Sequence, residues 1–469
     1  MEIPLTIDKT QACLINKDFN CVDLVDSYVE RINTFDSKIN SYITLTSEEA
    51  YKKAKWCDRV ISDKGRDAFK NYPLLGVTIA LKDLFLTKNI RTTAGSKLLK
   101  NYIPQYSATV VKKLENAGSI ILGKTNCDAW AHGTSGENSD YGITKNPWNL
   151  EYVPGGSSSG SAAALASNFC LVSTGTDTGG SIRLPAMFSG SVGLKPTYGV
   201  VSRYGIIAMA SSLDSIGHFT RNCTDSRKVF DVTKGIDNKD ATLNLSSSLS
   251  KSKKPIKIGL AKEYLSQGID PEVKKTILSA ADVFKKIGFV VKFINLPHTK
   301  YAISAYYIIQ PAEVSSNLSR YDGIRYGFDR DSFSSEAKRR IMLGTYVLSA
   351  GYYDKYYLKA MKVRTKIIED YKKAYKDVDV ILAPVSPTPA FKIGEKISDP
   401  LKMYLADIFT VSANIAGIPG ISIPYGFNKI GLPLGFQLLG PAYSEELLLG
   451  LGEAFENETE YIPKTANLI

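Results

Sequence analysis

Apolar positions recur at helical spacing and then give way to short unbroken apolar runs, which is the pattern of helices packed on a buried sheet. Val110, Val111, Leu114 and Ala117 share one helical face behind Ser107, a residue able to cap the helix, and Gly118 supplies a stop. The apolar run at 120–122 then reads as a buried strand. A second unit opens at Asp270, a helix cap followed by proline in the first helical position. Val273, Ile277, Ala281 and Phe284 follow on one face, then Gly288, then strand-like residues from Phe289. Residues 301–376 read as mainly helical and tyrosine-rich, and the polar stretch at 239–254 as an exposed loop or linker. Neither half of the chain stands alone and no repeat is visible, so a helix-covered α/β sheet is expected.

Composition changes this picture little. Hydrophobic residues at 44% and charged residues at 22% set disordered and fibrous classes aside. No segment reaches the roughly 18 uninterrupted apolar residues of a bilayer span. The first residues lack a basic region followed by an apolar core, so a cytoplasmic chain is expected. Six cysteines (Cys13, Cys21, Cys57, Cys127, Cys170, Cys223) form no CxxC pair, which argues against both a zinc site and a disulfide framework. Lys and Arg outnumber Asp and Glu by 58 to 47, a formal charge of +11. That excess suits a nucleic-acid partner or simply a solvated lysine-rich surface.

Two motif matches fail on physical grounds. Gly118 to Thr125 fits the phosphate-loop string GxxxxGK[ST], but a helix precedes it and its variable positions are themselves the strand. Gly156 to Gly160 fits the nucleophile-elbow string GxSxG, with Ser158 as nucleophile and Asp214 and His218 in the right chain order. An elbow serine follows a strand, however, and the residues before Gly156 do not form one. Core or surface roles suit His132, His218 and His298 better. Two SxxK strings, Ser248 to Lys251 and Ser250 to Lys253, are products of polar composition.

The small-residue block from Pro154 to Gly193 carries the chemistry. Two Gly/Ser loops each end in a serine that starts a helix, and the glycines before Ser181 let successive N–H groups converge on an anion. The same loops could be plain surface turns. A serine nucleophile in a histidine-poor chain points to a lysine base. Lys82 ends the apolar run LLGVTIALKDLF, where it either snorkels or is desolvated. Desolvation by roughly three pKa units would make it a base near neutrality, so the residues point to a Ser-Lys hydrolase.

Taken together, these stretches resemble the amidase signature family over nearly the whole chain, and the spacing of Lys82, Ser157 and Ser181 matches its Ser-cisSer-Lys triad. The segments at 137–142, 315–327, 338–357 and 414–424 are similar to the A subunits of the glutamyl-tRNA(Gln) amidotransferases. The resemblance implies one domain over 1–469, built on a large mixed, twisted β-sheet covered by helices on both faces. It implies that Ser181 attacks a glutamine carboxamide, that Ser157 follows a cis peptide and relays a proton to Lys82, and that Thr178, Gly179, Gly180 and Ser181 N–H groups hold the oxyanion. Tyr306, Arg340 and Asp407 would bind glutamine, with Arg339 a weaker candidate beside Arg340. No cofactor is implied in this chain; ATP and magnesium belong to the B subunit, which acts on charged tRNA, and a small C subunit wraps the interface. The tRNA served would be Glu-tRNA(Gln), Asp-tRNA(Asn) or both. A stand-alone amidase of small amides keeps the same triad, and a structural subunit without catalytic activity is the other reading. Two departures stand out. Ser159 replaces a glycine, with strain of about a kcal/mol if that position needs positive φ, and the segment at 327–339 is short.

Overall fold

A computed structural model of the chain describes residues 2–244, 256–265, 268–324, 327–397 and 399–468. Residues 245–254 of the expected polar loop, both SxxK strings and Tyr326 lie outside the described residues.

The described strands are β1 (Tyr42–Leu45), β2 (Thr78–Lys82), β3 (Ile120–Thr125), β4 (Val172–Asp177), β5 (Val192–Lys195), β6 (Ser215–Thr220), β7 (Lys257–Ala261), β8 (Val290–Ile294), β9 (Val380–Ala383), β10 (Gly420–Phe427) and β11 (Pro433–Leu439). They form one sheet in the order β1-β3-β2-β4-β6-β5-β10-β11-β9-β7-β8. Pairing is parallel along β3-β2-β4 and β9-β7-β8 and antiparallel elsewhere, so the sheet is mixed. Alternate residues feed opposite faces, as strand geometry dictates. Ile79, Leu81, Ile121 and Leu382 join a core with the helices Thr109–Asn116, Cys223–Thr233, Pro271–Lys286 and Glu445–Glu458. On the other face Ala80, Ile120 and Leu122 meet Cys21–Ile39, Ser47–Lys64 and Ser159–Ala166. Ile381 and Ala383 meet Ala302–Leu318, Lys359–Ala374 and Val411–Ala416 there, at the sheet's far end. The expected mixed α/β sheet with helices on both faces is the observed fold.

Local signals explain most boundaries. Asp270 accepts from Glu272 N and Val273 N, and Val273, Ile277, Ala281 and Phe284 are all buried. Ser107 is a correction. The helix starts at Thr109 behind Ala108, and the Ser107 hydroxyl accepts instead from Lys88 N at 2.9 Å. The phosphate-loop string is the buried β3, and its Lys124 ends in an ion pair with Asp83 at 3.2 Å.

Every residue of the helix Ser159–Ala166 is buried. Only small side chains let it sit so close. A Cβ on Gly160 would lie 2.4 Å from the Ser41 carbonyl oxygen and 2.6 Å from Asn126 N. This close packing brings the Gly/Ser loop before the helix to the carboxyl ends of β2 and β4, adjacent parallel strands.

Candidate active site

Lys82, last residue of β2, is fully buried. Its Nζ lies 2.8 Å from Ser157 Oγ, 3.0 Å from Ser158 Oγ and 2.7 Å from Thr176 Oγ1. Burial lowers its pKa to about 8, against the opposing pull of Cys127, Asp128, Asp177 and Asp214. A lysine held there reaches the neutral form under mildly alkaline conditions and can take a proton. Ser158 Oγ is turned toward the Thr176 carbonyl at 3.3 Å, so its proton is committed there. Ser157 Oγ has no such second bond among the described residues and remains the hydroxyl able to hand a proton to neutral Lys82. The Gly156–Ser157 peptide is cis, as the resemblance implies.

The elbow alternative dissolves in space. Asp214 accepts from Thr178 Oγ1 at 2.6 Å, while His218 Nε2 pairs with Ser226 Oγ at 2.8 Å, so neither reaches Ser158. Ser159 begins the helix in ordinary helical backbone; the positive φ of this loop, +81°, belongs to Gly155. The glycine-to-serine departure therefore carries no backbone strain.

Ser181 follows β4 on a turn fastened by Asp177. Its own hydroxyl has no hydrogen-bond partner among the described residues and is the most accessible of the three triad positions. Asp177 accepts from Gly180 N at 2.8 Å and Ile182 N at 3.2 Å, and pairs with Arg183 Nη2 at 3.1 Å. Asn414 Nδ2 adds a bond at 2.9 Å. Burial alone would raise the Asp177 pKa, but the Arg183 charge and these hydrogen bonds outweigh it and hold the group at about 2. Arg183 is in turn bonded to Gln437 Oε1, the Thr410 carbonyl and Asn414 Oδ1. One expected oxyanion donor needs correcting, because the Gly180 N–H is taken by Asp177. The N–H groups of Thr178, Gly179 and Ser181 have no acceptor among the described residues and can converge on a developing negative charge.

The three residues assigned to glutamine lie around this turn. Tyr306 packs against Gly179, where an added Cβ would lie 2.7 Å from its ring and hydroxyl. Thr410 Oγ1 donates to the Gly179 carbonyl, and Thr410 N to the Asp407 carbonyl at 3.0 Å, tying Asp407 to the same turn. Asp407 Oδ2 accepts from Thr134 Oγ1 at 3.0 Å and Tyr307 at 3.4 Å. Burial raises its pKa to about 7, with Thr134 and the Arg340 charge opposing. Arg340 points inward, beside the stacked rings of Tyr307 and Tyr404, its guanidinium 5.6 and 5.8 Å from their centroids. It donates to Glu336 at 2.8 Å and to Gln310 Oε1 at 2.9 Å. Arg339 is half exposed and pairs with Glu336 at the rim, which removes it as a candidate. A buried cation and a buried carboxylate near one serine turn match the two charged groups of an α-amino acid.

Sequence reasoning misses the Asp177, Arg183, Asn414 and Gln437 network, although the Asp-x-x-x-x-x-Arg spacing across a glycine turn is visible. The segment at 327–339 contributes Phe333, packed 5.3 Å from Trp130, and the start of the helix that carries Arg340.

Comparison with known proteins agrees with this architecture. The amidase family model matches residues 23–449. The chain is 48% identical over 485 residues to the glutamyl-tRNA(Gln) amidotransferase A subunit of Geobacter metallireducens, covering 99% of both chains. It is 51% identical over 466 residues to that of Carboxydothermus hydrogenoformans, covering 95% of both. The crystal structure of the Thermotoga maritima A subunit superposes with a TM-score of 0.82 at 37% identity, over 100% of each chain. With the family model matched from the second helix to the last and half the residues shared end to end with such relatives, the chain belongs to the amidase family.

Proposed function

We infer that this chain is the glutamine-hydrolysing A subunit of a tRNA-dependent amidotransferase. The observation that carries the reading is the pairing of a Lys-Ser-Ser centre with a buried Arg340 and Asp407, in a chain 48% identical end to end to such a protein. In this mechanism Arg340 holds the glutamine α-carboxylate and Asp407 the α-ammonium, placing the carboxamide at Ser181. Ser181 Oγ attacks the carbonyl carbon as its proton passes through Ser157 to neutral Lys82. The free N–H groups of the 178–181 turn hold the oxyanion. Lys82 returns the proton through Ser157 to the leaving nitrogen, ammonia departs, and water then releases glutamate from the Ser181 ester by the same relay.

The relatives' name is that of one subunit, which supports a multi-subunit assembly. In the proposed complex the B subunit receives the ammonia and uses ATP with magnesium on charged tRNA, while the C subunit wraps the interface. No described helix is long and apolar enough to cross a membrane, and a cytoplasmic site of action is proposed with the translation role. The buried Arg340 and Asp407 favour a substrate with both an anionic and a cationic group, such as glutamine, over the unrelated small amides of a stand-alone amidase.

The test is glutamate release from glutamine by the purified chain, alone and then with candidate B and C subunits, charged tRNA and ATP. Weak release that rises with the partners is expected. Strong hydrolysis of unrelated small amides, indifferent to the partners, would overturn the assignment.

A further inference from the structure

His132 is a buried imidazole with neither ring nitrogen hydrogen-bonded among the described residues. The other two histidines have partners, His218 with Ser226 at 2.8 Å and His298 with Asp370 at 2.9 Å. A buried imidazole with no protein partner keeps hydrogen-bonding capacity that a ligand can use. Trp130 and Ala131 just before it have φ of +60° and +63°, a left-handed conformation that is strained for a residue as bulky as tryptophan.

The loop that carries His132 is fastened to the catalytic centre. Asp128 accepts from Gly136 N and Asn138 N, and Gly156 N donates to the Thr134 carbonyl at 2.7 Å beside Ser157. Thr134 Oγ1 reaches Asp407 at 3.0 Å. Burial and the nearby Arg340 charge hold the ring neutral, so it offers one donor and one acceptor. Arg340 uses Nε on Glu336 and Nη1 on Gln310 Oε1, leaving Nη2 without an acceptor among the described residues. The Gln310 amide nitrogen is likewise buried and unpartnered among them. Arg340 is bonded to Gln310, and its charge acts on His132, so one cation and two neutral donors with unmet capacity belong to one neighbourhood, and a carboxylate has lone pairs for all of them.

We propose that His132 is a substrate-binding residue whose ring N–H completes, with Arg340 and the Gln310 amide, the recess for the substrate α-carboxylate. The proposal rests on the glutaminase reading and adds a residue specific for that carboxylate. Its test compares His132→Leu and His132→Asn with the unaltered full chain, together with any companion subunits its activity requires. The substrates are glutamine and 4-aminobutanamide, which is glutamine without its α-carboxylate. His132→Leu is expected to raise KM for glutamine by roughly tenfold to a hundredfold, the effect of one hydrogen bond to a charged group. Saturating kcat should stay within about threefold, and His132→Asn should recover part of the loss. KM for 4-aminobutanamide should not move, and the melting temperature of His132→Leu should not fall, since no protein bond is lost. Calorimetric titration of glutamate reads the same contact without turnover. An unchanged glutamine KM and glutamate affinity, or equal losses on both amides, would overturn the proposal. An unaltered enzyme that does not distinguish the two amides would instead overturn the glutaminase reading.

Discussion

Lys82→Met is expected to lower kcat/KM for glutamine by about ten-thousandfold, the scale on which removing the base of a serine triad acts. Among the described residues Lys82 is the only base bonded to Ser157 Oγ; Asp128 is turned to the backbone N–H groups of Gly136 and Asn138, and His218 is bonded to Ser226. The same substitution should leave the melting temperature at or above that of the unaltered chain. Holding a charged lysine with its pKa at about 8 rather than 10.5 costs about 3 kcal/mol at neutral pH. The sign follows from linkage. The folded form releases this proton earlier than the unfolded one, so Lys82 destabilises below about pH 8 and the penalty fades as pH rises toward 10.5. In the unaltered enzyme kcat/KM should climb about tenfold per pH unit up to about 8 and then level off, because only neutral Lys82 accepts the proton. Stopped-assay rates across that range, with thermal melts of both forms, check both halves. A Lys82→Met chain that melts earlier yet keeps its turnover would contradict them.

Asp177→Asn should lose stability as well as activity. The carboxylate is fully buried and faces the buried Arg183 guanidinium, and an amide in its place leaves that cation without its counter-charge. Removing one partner of such a pair costs about 3–5 kcal/mol. An amide keeps one acceptor oxygen where two carboxylate oxygens now hold Gly180 N and Ile182 N, so the serine turn loses part of its fastening. Chemical denaturation should show the loss, and glutamate release should fall by at least roughly a hundredfold, as expected when a turn that aims oxyanion donors is loosened. The Asp177 pKa is held at about 2, below the usual carboxylate value, so its contribution is fully present above about pH 4 and disappears as pH falls through about 2. The Asn variant should therefore differ most from the unaltered chain at neutral pH and converge with it in acid. A variant with unchanged stability at neutral pH would show that the Asp177–Arg183 pair does not support the turn.

Local signals carry the fold. The cap at Asp270, the helical face from Val273 to Phe284 and the strands at β2 and β3 are written in consecutive residues, where spacing alone predicts an element. Ser107 fails as a cap because its hydroxyl has a competing acceptor role toward Lys88, a contact between separate segments that periodicity does not encode. The serine centre is legible for the same reason: Ser157, Ser181 and the glycines lie in two short loops of unusual composition, and Lys82 ends an apolar strand where a charge is conspicuous. Arg340 and Asp407 carry no such local mark and are identified only through resemblance. The Asp177 network is not legible, because its partners Asn414 and Gln437 come from segments more than 200 residues away and meet only when β11 and the helix Val411–Ala416 pack under the turn. His132 reads as structural on its type; that both its nitrogens are left unpartnered is a property of packing.

The central claim is that this chain generates ammonia at Ser181 for use elsewhere, and one measurement addresses it most directly. Transamidation of charged tRNA by the assembled complex is followed with Ser181→Ala, first with glutamine and then with ammonium chloride as nitrogen donor. Loss of the glutamine-dependent reaction with the ammonium-dependent reaction intact is the predicted result. Equal loss with both donors, or persistence of the glutamine-dependent rate, would contradict it.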